Sequence, residues 1–173
     1  MKTAQMLCSC ALFALAGYLA CVAAVAQAPS TLPFADMEIA YDGQRWRPER
    51  GDTAVTLQSI GDDARRLDPV TIKRSVVAGR AGCLDLARQE LAGRIYESPT
   101  ISEIQVANLP AVRVTAHTRC RNAMPHGGVI CVHHRGNAYL LTANKESCRS
   151  GAANLFSGID PLYEIATGLR ALP

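Results

Sequence analysis

Regular alternation between residues 111 and 120 leaves this part of the chain little choice of fold. Apolar and polar side chains take turns there, as Val112, Val114 and Ala116 against Arg113, Thr115, His117 and Arg119. Successive side chains of a β-strand point to opposite faces, so the pattern predicts a strand with one apolar face and one wet face. Strands of this kind are typical of antiparallel sheets that cover a core on one side only.

Other strand-like segments precede and follow this one, and turn residues separate them. Apolar and β-branched residues predict three further strands, at 53–60, 70–77 and 101–107. Two hairpins are expected as well. One covers 39–46 with its turn at 42–43, and the other covers 129–144 around the turn at 135–137. The residues at 108–110 are expected to join the strands at 101–107 and 111–120.

Two helices are expected between and after these strands. The first spans 83–96, where apolar residues recur at spacings of three and four, namely Leu84, Ala87, Leu91 and Ile95. The second lies near the C-terminus. There Asp160 suits the N-cap position and Pro161 suits the first helical position.

The order strands, helix, strands, helix predicts an α+β fold, an antiparallel sheet with two main helices packed on it. We expect a single domain at 37–173, preceded by a flexible lead-in at 27–36. This layout of an N-terminal hairpin, a helix, antiparallel strands and a C-terminal helix resembles the Mog1/PsbP-like sandwiches. The resemblance lies in the order of elements alone. It implies a fold and no functional residue, since such folds serve unrelated roles.

The N-terminus has the composition of a signal peptide. Lys2 is followed by an uncharged apolar run at 6–26 that ends in Ala24-Val25-Ala26, an A-x-A cleavage pattern. We therefore expect cleavage between Ala26 and Gln27, which removes residues 1–26. We expect the protein to be exported to a bacterial periplasm or outside the cell. Two alternatives stay open. The run is long enough to remain as an uncleaved membrane anchor, or Cys21 carries a lipid.

The second half of the chain is basic. Between residues 104 and 159 there are six basic residues and one acidic residue, a net charge of +5, together with all four histidines. We expect the strand at 111–120 to pair with the one at 129–134 so that His117 faces His133 and Thr115 faces Arg135. A slip of one residue would reverse every face. With this register, arginines gather on one wet surface, and the candidate anion- or partner-binding residues are Arg113, Arg119, Arg121, Arg135 and Arg149.

Four cysteines remain after the leader, namely Cys83, Cys120, Cys131 and Cys148. An even number in an exported domain predicts disulfides, with three possible pairings. The expected register puts Cys120 and Cys131 on opposite faces of the sheet and brings the strand ends carrying Cys120 and Cys148 together. It therefore favours Cys120–Cys148 and Cys83–Cys131.

Three classes of function follow from these residues. The leading hypothesis is a non-catalytic accessory protein, without cofactor, that binds an acidic protein or a small anion and no nucleic acid. The alternative is a periplasmic protein that binds copper or zinc through His117 and His133, because imidazole suits both ions. A hydrolase is the third class, and no catalytic residue is assigned, because Ser147 and Ser150 sit in no nucleophile elbow.

Overall fold

The computed structural model describes residues 28–65, 67–77, 79–92, 96–118, 127–143 and 160–173. In these ranges the chain forms two antiparallel sheets and two α-helices, which confirms the predicted α+β class. The elements in chain order are β1 (Ser30–Phe34), β2 (Met37–Tyr41), β3 (Trp46–Arg50), β4 (Ala54–Ser59), a 3-10 helix (Gly61–Arg65), β5 (Val70–Val76), α1 (Gly79–Ala92), β6 (Tyr96–Val106), β7 (Leu109–Thr118), β8 (Gly127–His134), β9 (Asn137–Ala143), α2 (Pro161–Thr167) and β10 (Leu169–Ala171).

The large sheet has seven strands in the order β3-β4-β5-β9-β8-β7-β6, and the small sheet has three in the order β1-β2-β10. Two tight turns join neighbouring strands of the large sheet into hairpins. Ala107 and Asn108 join β6 to β7, and Arg135 and Gly136 join β8 to β9, all four with positive φ. Turns with two positive φ values match the right-handed twist of paired strands. The predicted hairpin over 129–144 is thereby confirmed, while the β6–β7 turn lies one residue earlier than expected.

Both faces of the large sheet are covered. On one face α1 buries Cys83, Ala87 and Leu91 against strands β7, β8 and β9. On the other face the small sheet and α2 enclose a larger core around Tyr139 and Trp46. The molecule is therefore a sandwich in which the large sheet is the middle layer, and the expectation that one sheet face meets water is wrong.

Two predictions for the N-terminal part are also wrong. The lead-in expected at 27–36 contains strand β1, which pairs with β2 along its whole length. The hairpin expected over 39–46 does not form, because β2 belongs to the small sheet and β3 to the large one. The turn at 42–43 exists, but it carries the chain from one sheet to the other. Local sequence marks a turn without specifying which strands it joins.

The two helices were expected, and α2 begins as predicted. Asp160 is its N-cap, accepting hydrogen bonds from the amides of Leu162 (3.1 Å) and Tyr163 (3.2 Å), and Pro161 follows. Helix α1 starts earlier than expected, at Gly79 instead of Cys83. In the part of the chain that is described, no helix is both long and apolar enough to cross a bilayer.

Candidate functional site

Of the five arginines in the predicted surface, the structure describes two, Arg113 and Arg135, and it places them five residues apart along the β7–β8 pair. Arg113 pairs across the strands with Ile130, on the face that the small sheet and α2 cover. Its half-buried guanidinium forms a salt bridge with Asp160 and lies 5.8 Å from the ring centroid of Tyr163. Arg135 sits at the exposed β8–β9 turn. A charge that a carboxylate neutralises within the sandwich does not attract an external anion.

The expected register between β7 and β8 is the origin of this error. The structure pairs Val112 with Cys131 and Ala116 with Gly127, seven residues away from the register that polarity suggested. Seven is odd, so every side chain of β7 lies on the opposite face from the one expected. The three remaining predicted arginines lie outside the described residues, namely Arg119, Arg121 and Arg149.

The same shift separates the two histidines of the metal hypothesis. The backbone of His117 lies just past the last β7–β8 pair, while His133 lies just past the first. Seven residues along a strand correspond to roughly 23 Å. His133 and His134 lie on opposite faces, as neighbours in a strand must, and the described residues contain no cluster of three potential metal ligands. The copper or zinc hypothesis thus loses the geometry on which it depended.

Cys83 and Cys131 form a disulfide that joins α1 to the centre of the large sheet, with their Cα atoms 5.7 Å apart. This is the pairing that the sequence favoured, although the register used to infer it is wrong. Cys131 reaches Cys83 because β8 turns its odd-numbered residues towards α1. Cys120 and Cys148 lie outside the described residues, so their predicted pairing stays a prediction.

A polar cluster at one end of the sandwich was not predicted. Asp36, in the β1–β2 turn, accepts hydrogen bonds from the fully buried Tyr139 hydroxyl and, at 3.5 Å, from Asn137 Nδ2. His134 Nε2 lies 3.8 Å from Asp36 Oδ2, and Arg74 Nε donates to Asn137 Oδ1 at 3.1 Å. The cluster ties the small sheet to strands β5, β8 and β9 of the large sheet.

Hydrogen bonding and burial determine the protonation states of Tyr139 and Asp36 in this cluster. Burial, the hydrogen bond to Asp36 and the charge of Asp36 together raise the pKa of Tyr139 to about 12, so its hydroxyl stays protonated at neutral pH. Burial also raises the pKa of Asp36, but the hydrogen bond from Tyr139, a backbone hydrogen bond and the charges of His134 and Arg74 lower it more. The resulting pKa lies below 3.8, and Asp36 is ionised.

An open groove of about 550 Å³ lies beside this cluster. Its walls are the β1–β2 turn, the β3–β4 loop and the last residues of β5, and we call it the end groove (residues 33–35, 50–53 and 74–76). Two exposed arginines, Arg50 and Arg74, line it together with one carboxylate, Asp52. Its volume lies within the range that ligand sites occupy.

The backbone of the end groove is strained at one point. Ala35, the first residue of the β1–β2 turn, has a φ of 57°, a conformation that favours glycine. Residues held in such conformations are over-represented at binding sites, where the surrounding structure enforces them. Here the hydrogen bonds of Asp36 hold the turn in place, including the bond that its carbonyl accepts from the Leu172 amide at 3.0 Å.

Reasoning from sequence missed the end groove because no local signal marks it. Arg50 and Arg74 each stand near the end of a strand, and the β1–β2 turn that completes the groove falls in the segment predicted as a lead-in. Three segments far apart in sequence build the groove, and only strand pairing brings them together.

Comparisons with known proteins address the fold. No protein-family model matches the chain. No curated protein matches it either. Among solved structures, it is similar to the solution structure of cyanobacterial PsbP (CyanoP) from Synechocystis, with 9% identity, a TM-score of 0.52, and coverage of 87% of this chain and 96% of that one. A crystal structure from Bacteroides thetaiotaomicron has 13% identity and a TM-score of 0.45 over 84% of this chain and 48% of the other. The similarity to the CyanoP structure shows that the chain has a PsbP-like fold, which confirms the fold-level resemblance.

Proposed function

We propose that the protein is an exported, non-catalytic accessory protein that binds an acidic partner or a small anion in the end groove. The observation that carries the proposal is the position of Arg50 and Arg74 on an open groove, whereas Arg113 is paired with Asp160. The kind of ligand is the one expected from the sequence, and its site is moved to another surface.

Arginine is suited to this task, because its planar guanidinium donates two parallel hydrogen bonds to a carboxylate or phosphate. Arg74 donates a hydrogen bond through its Nε to Asn137, and Arg50 donates one through an Nη to the carbonyl of Pro33. These bonds hold both side chains at the groove while each guanidinium keeps further N–H groups. A ligand thus meets donors that are already oriented.

Two features support export. The leader-like run at 6–26 ends in a signal-peptidase pattern, and the disulfide between Cys83 and Cys131 suits an oxidising compartment. The PsbP-like fold adds a scaffold and no function, since one fold hosts unrelated roles.

The test is a titration with penta-aspartate and with phosphate, using protein purified after expression of the full chain. Hydrogen bonds to charged groups contribute about 1.5–3 kcal/mol each, so the variant Arg50→Gln/Arg74→Gln is expected to bind penta-aspartate at least about tenfold more weakly. Arg88→Gln is the matched control, because Arg88 lies on α1, on the far side of the large sheet. Equal binding by the wild type and the double variant would overturn the proposal.

A further inference from the structure

Strand β4 begins at Ala54, so it does not extend alongside the last residues of its antiparallel neighbour β5. The last β4–β5 pair is Ala54 with Lys73, and one more bond, from the Arg74 amide to the Thr53 carbonyl at 3.2 Å, closes the ladder. On its other side, β5 stays paired with β9 as far as Val76, opposite Asn137. Among the described residues, the final residues of β5 thus have a neighbouring strand on one side only, and the other side borders the end groove.

The direction of the backbone amides identifies which groups face this gap. The Arg74 amide points towards β4, and the Val77 amide points the other way, donating to the Gly136 carbonyl at 3.0 Å. Amides of successive residues in a strand alternate in direction. The N–H and C=O of Val76 therefore point to the β4 side of β5, beyond the first residue of β4. Backbone groups at an open strand edge are a template for pairing with another extended chain.

The side chains around this edge combine charge with apolar surface. Val76 is 83% exposed, the largest exposure among the big apolar side chains in the described ranges. Arg74 precedes Val76 by two residues and so lies on the same face of β5, and Arg50 lines the same groove. The exposed side chain and backbone of Val76 thus line the same groove as the guanidinium groups of Arg50 and Arg74.

We propose that the end groove binds the free C-terminal carboxylate of an extended peptide whose last side chain is apolar. The peptide pairs with the open edge at Val76, its carboxylate accepts hydrogen bonds from Arg50 and Arg74, and its last side chain covers Val76. Edge addition and carboxylate capture are both established modes of peptide recognition. This inference rests on the proposed function, because it names the ligand that the anion site takes.

The experiment uses three probes on the protein expressed from the full chain. They are a pool of hexapeptides ending in valine with a free carboxylate, the same pool with an amidated C-terminus, and penta-aspartate with an amidated C-terminus. Affinities come from fluorescence anisotropy, and NMR follows the amide of Val76. The free pool is expected to bind at least about tenfold more tightly than the amidated pool and to shift the Val76 amide proton. Arg74→Gln should abolish this preference, and Arg88→Gln should retain it.

The outcomes separate the two claims. If amidated penta-aspartate binds through Arg50 and Arg74 while the two valine pools bind equally, the anion site stands and capture of a C-terminus is overturned. If the free pool binds without moving the Val76 amide, pairing at this edge is overturned. If no anionic probe binds, the proposed function fails and this inference fails with it.

Discussion

The disulfide between Cys83 and Cys131 is expected to supply much of the stability of this domain. Helix α1 fully buries three side chains, of which Cys83 and Ala87 are small, while Leu84 and Leu86 pack half-buried against the same core. Its ion pairs with the large sheet, Glu90 with Lys73 at 3.7 Å and Arg80 with Glu103, are partly exposed and so contribute little. The disulfide closes a loop with a sequence separation of 48 residues. Loop-closure entropy for that length corresponds to about 4 kcal/mol.

The test compares oxidised and reduced protein that lacks residues 1–26, so that Cys120→Ala and Cys148→Ala leave only the described pair. The free energy of unfolding, from urea titrations followed by circular dichroism, should fall by about 4 kcal/mol on reduction, and the melting temperature should fall by roughly 10 °C. Cys83→Ala/Cys131→Ala serves as the control, because it removes the sulfur atoms as well as the bridge. A loss below about 1 kcal/mol on reduction would refute the reasoning, since α1 would then be held by packing alone.

Four other predictions concern the end of the sandwich, helix α2 and the leader. Tyr139→Phe should destabilise the fold by about 1–3 kcal/mol by leaving Asp36 short of a donor. Because the pKa of Tyr139 is raised to about 12 in the fold, wild-type stability should be full below pH 10 and fall as the pH rises towards 12, and Tyr139→Phe should lack that fall in urea titrations at each pH. Ala35→Gly should leave melting unchanged or raise stability by up to about 1 kcal/mol, and a clear loss would argue against strain in the turn. Asp160→Ala should cost about 1–2 kcal/mol through loss of the α2 cap and more through loss of the salt bridge with Arg113, so Asp160→Asn should restore only the contribution of the cap. N-terminal sequencing of exported protein should start immediately after Ala26, and an intact N-terminus would exclude cleavage.

Local chemistry was a reliable guide wherever a short turn or a cap specifies structure within a few residues. The turn at Arg135 and Gly136 determines how β8 pairs with β9, because a two-residue turn leaves one register. Asp160 and Pro161 likewise mark the start of α2. No such turn connects β7 to β8, since residues 119–126 intervene, and there polarity suggested the wrong register.

The candidate site illustrates why polarity failed. Arg113 has the pattern of a solvent-exposed residue, yet it is half-buried beside α2, where it forms a salt bridge with Asp160, 47 residues away. The end groove likewise joins the β1–β2 turn to β5 across about 40 residues of chain. In both cases the two contacting segments are far apart in sequence, so the residues around one segment do not indicate the other.

The amino-acid sequence by itself determined the α+β class, most strand positions, the start of α2 and the presence of disulfide-forming cysteines, because these depend on side-chain periodicity, capping and turn chemistry over a few residues. Tertiary structure alone decided that a second sheet covers the first. It also decided to which face of the large sheet the side chains of β7 and β8 point, and which arginines line one groove. These depend on pairing between distant segments, where burying apolar surface on both faces of the large sheet outweighs the local preference of a polar residue for water.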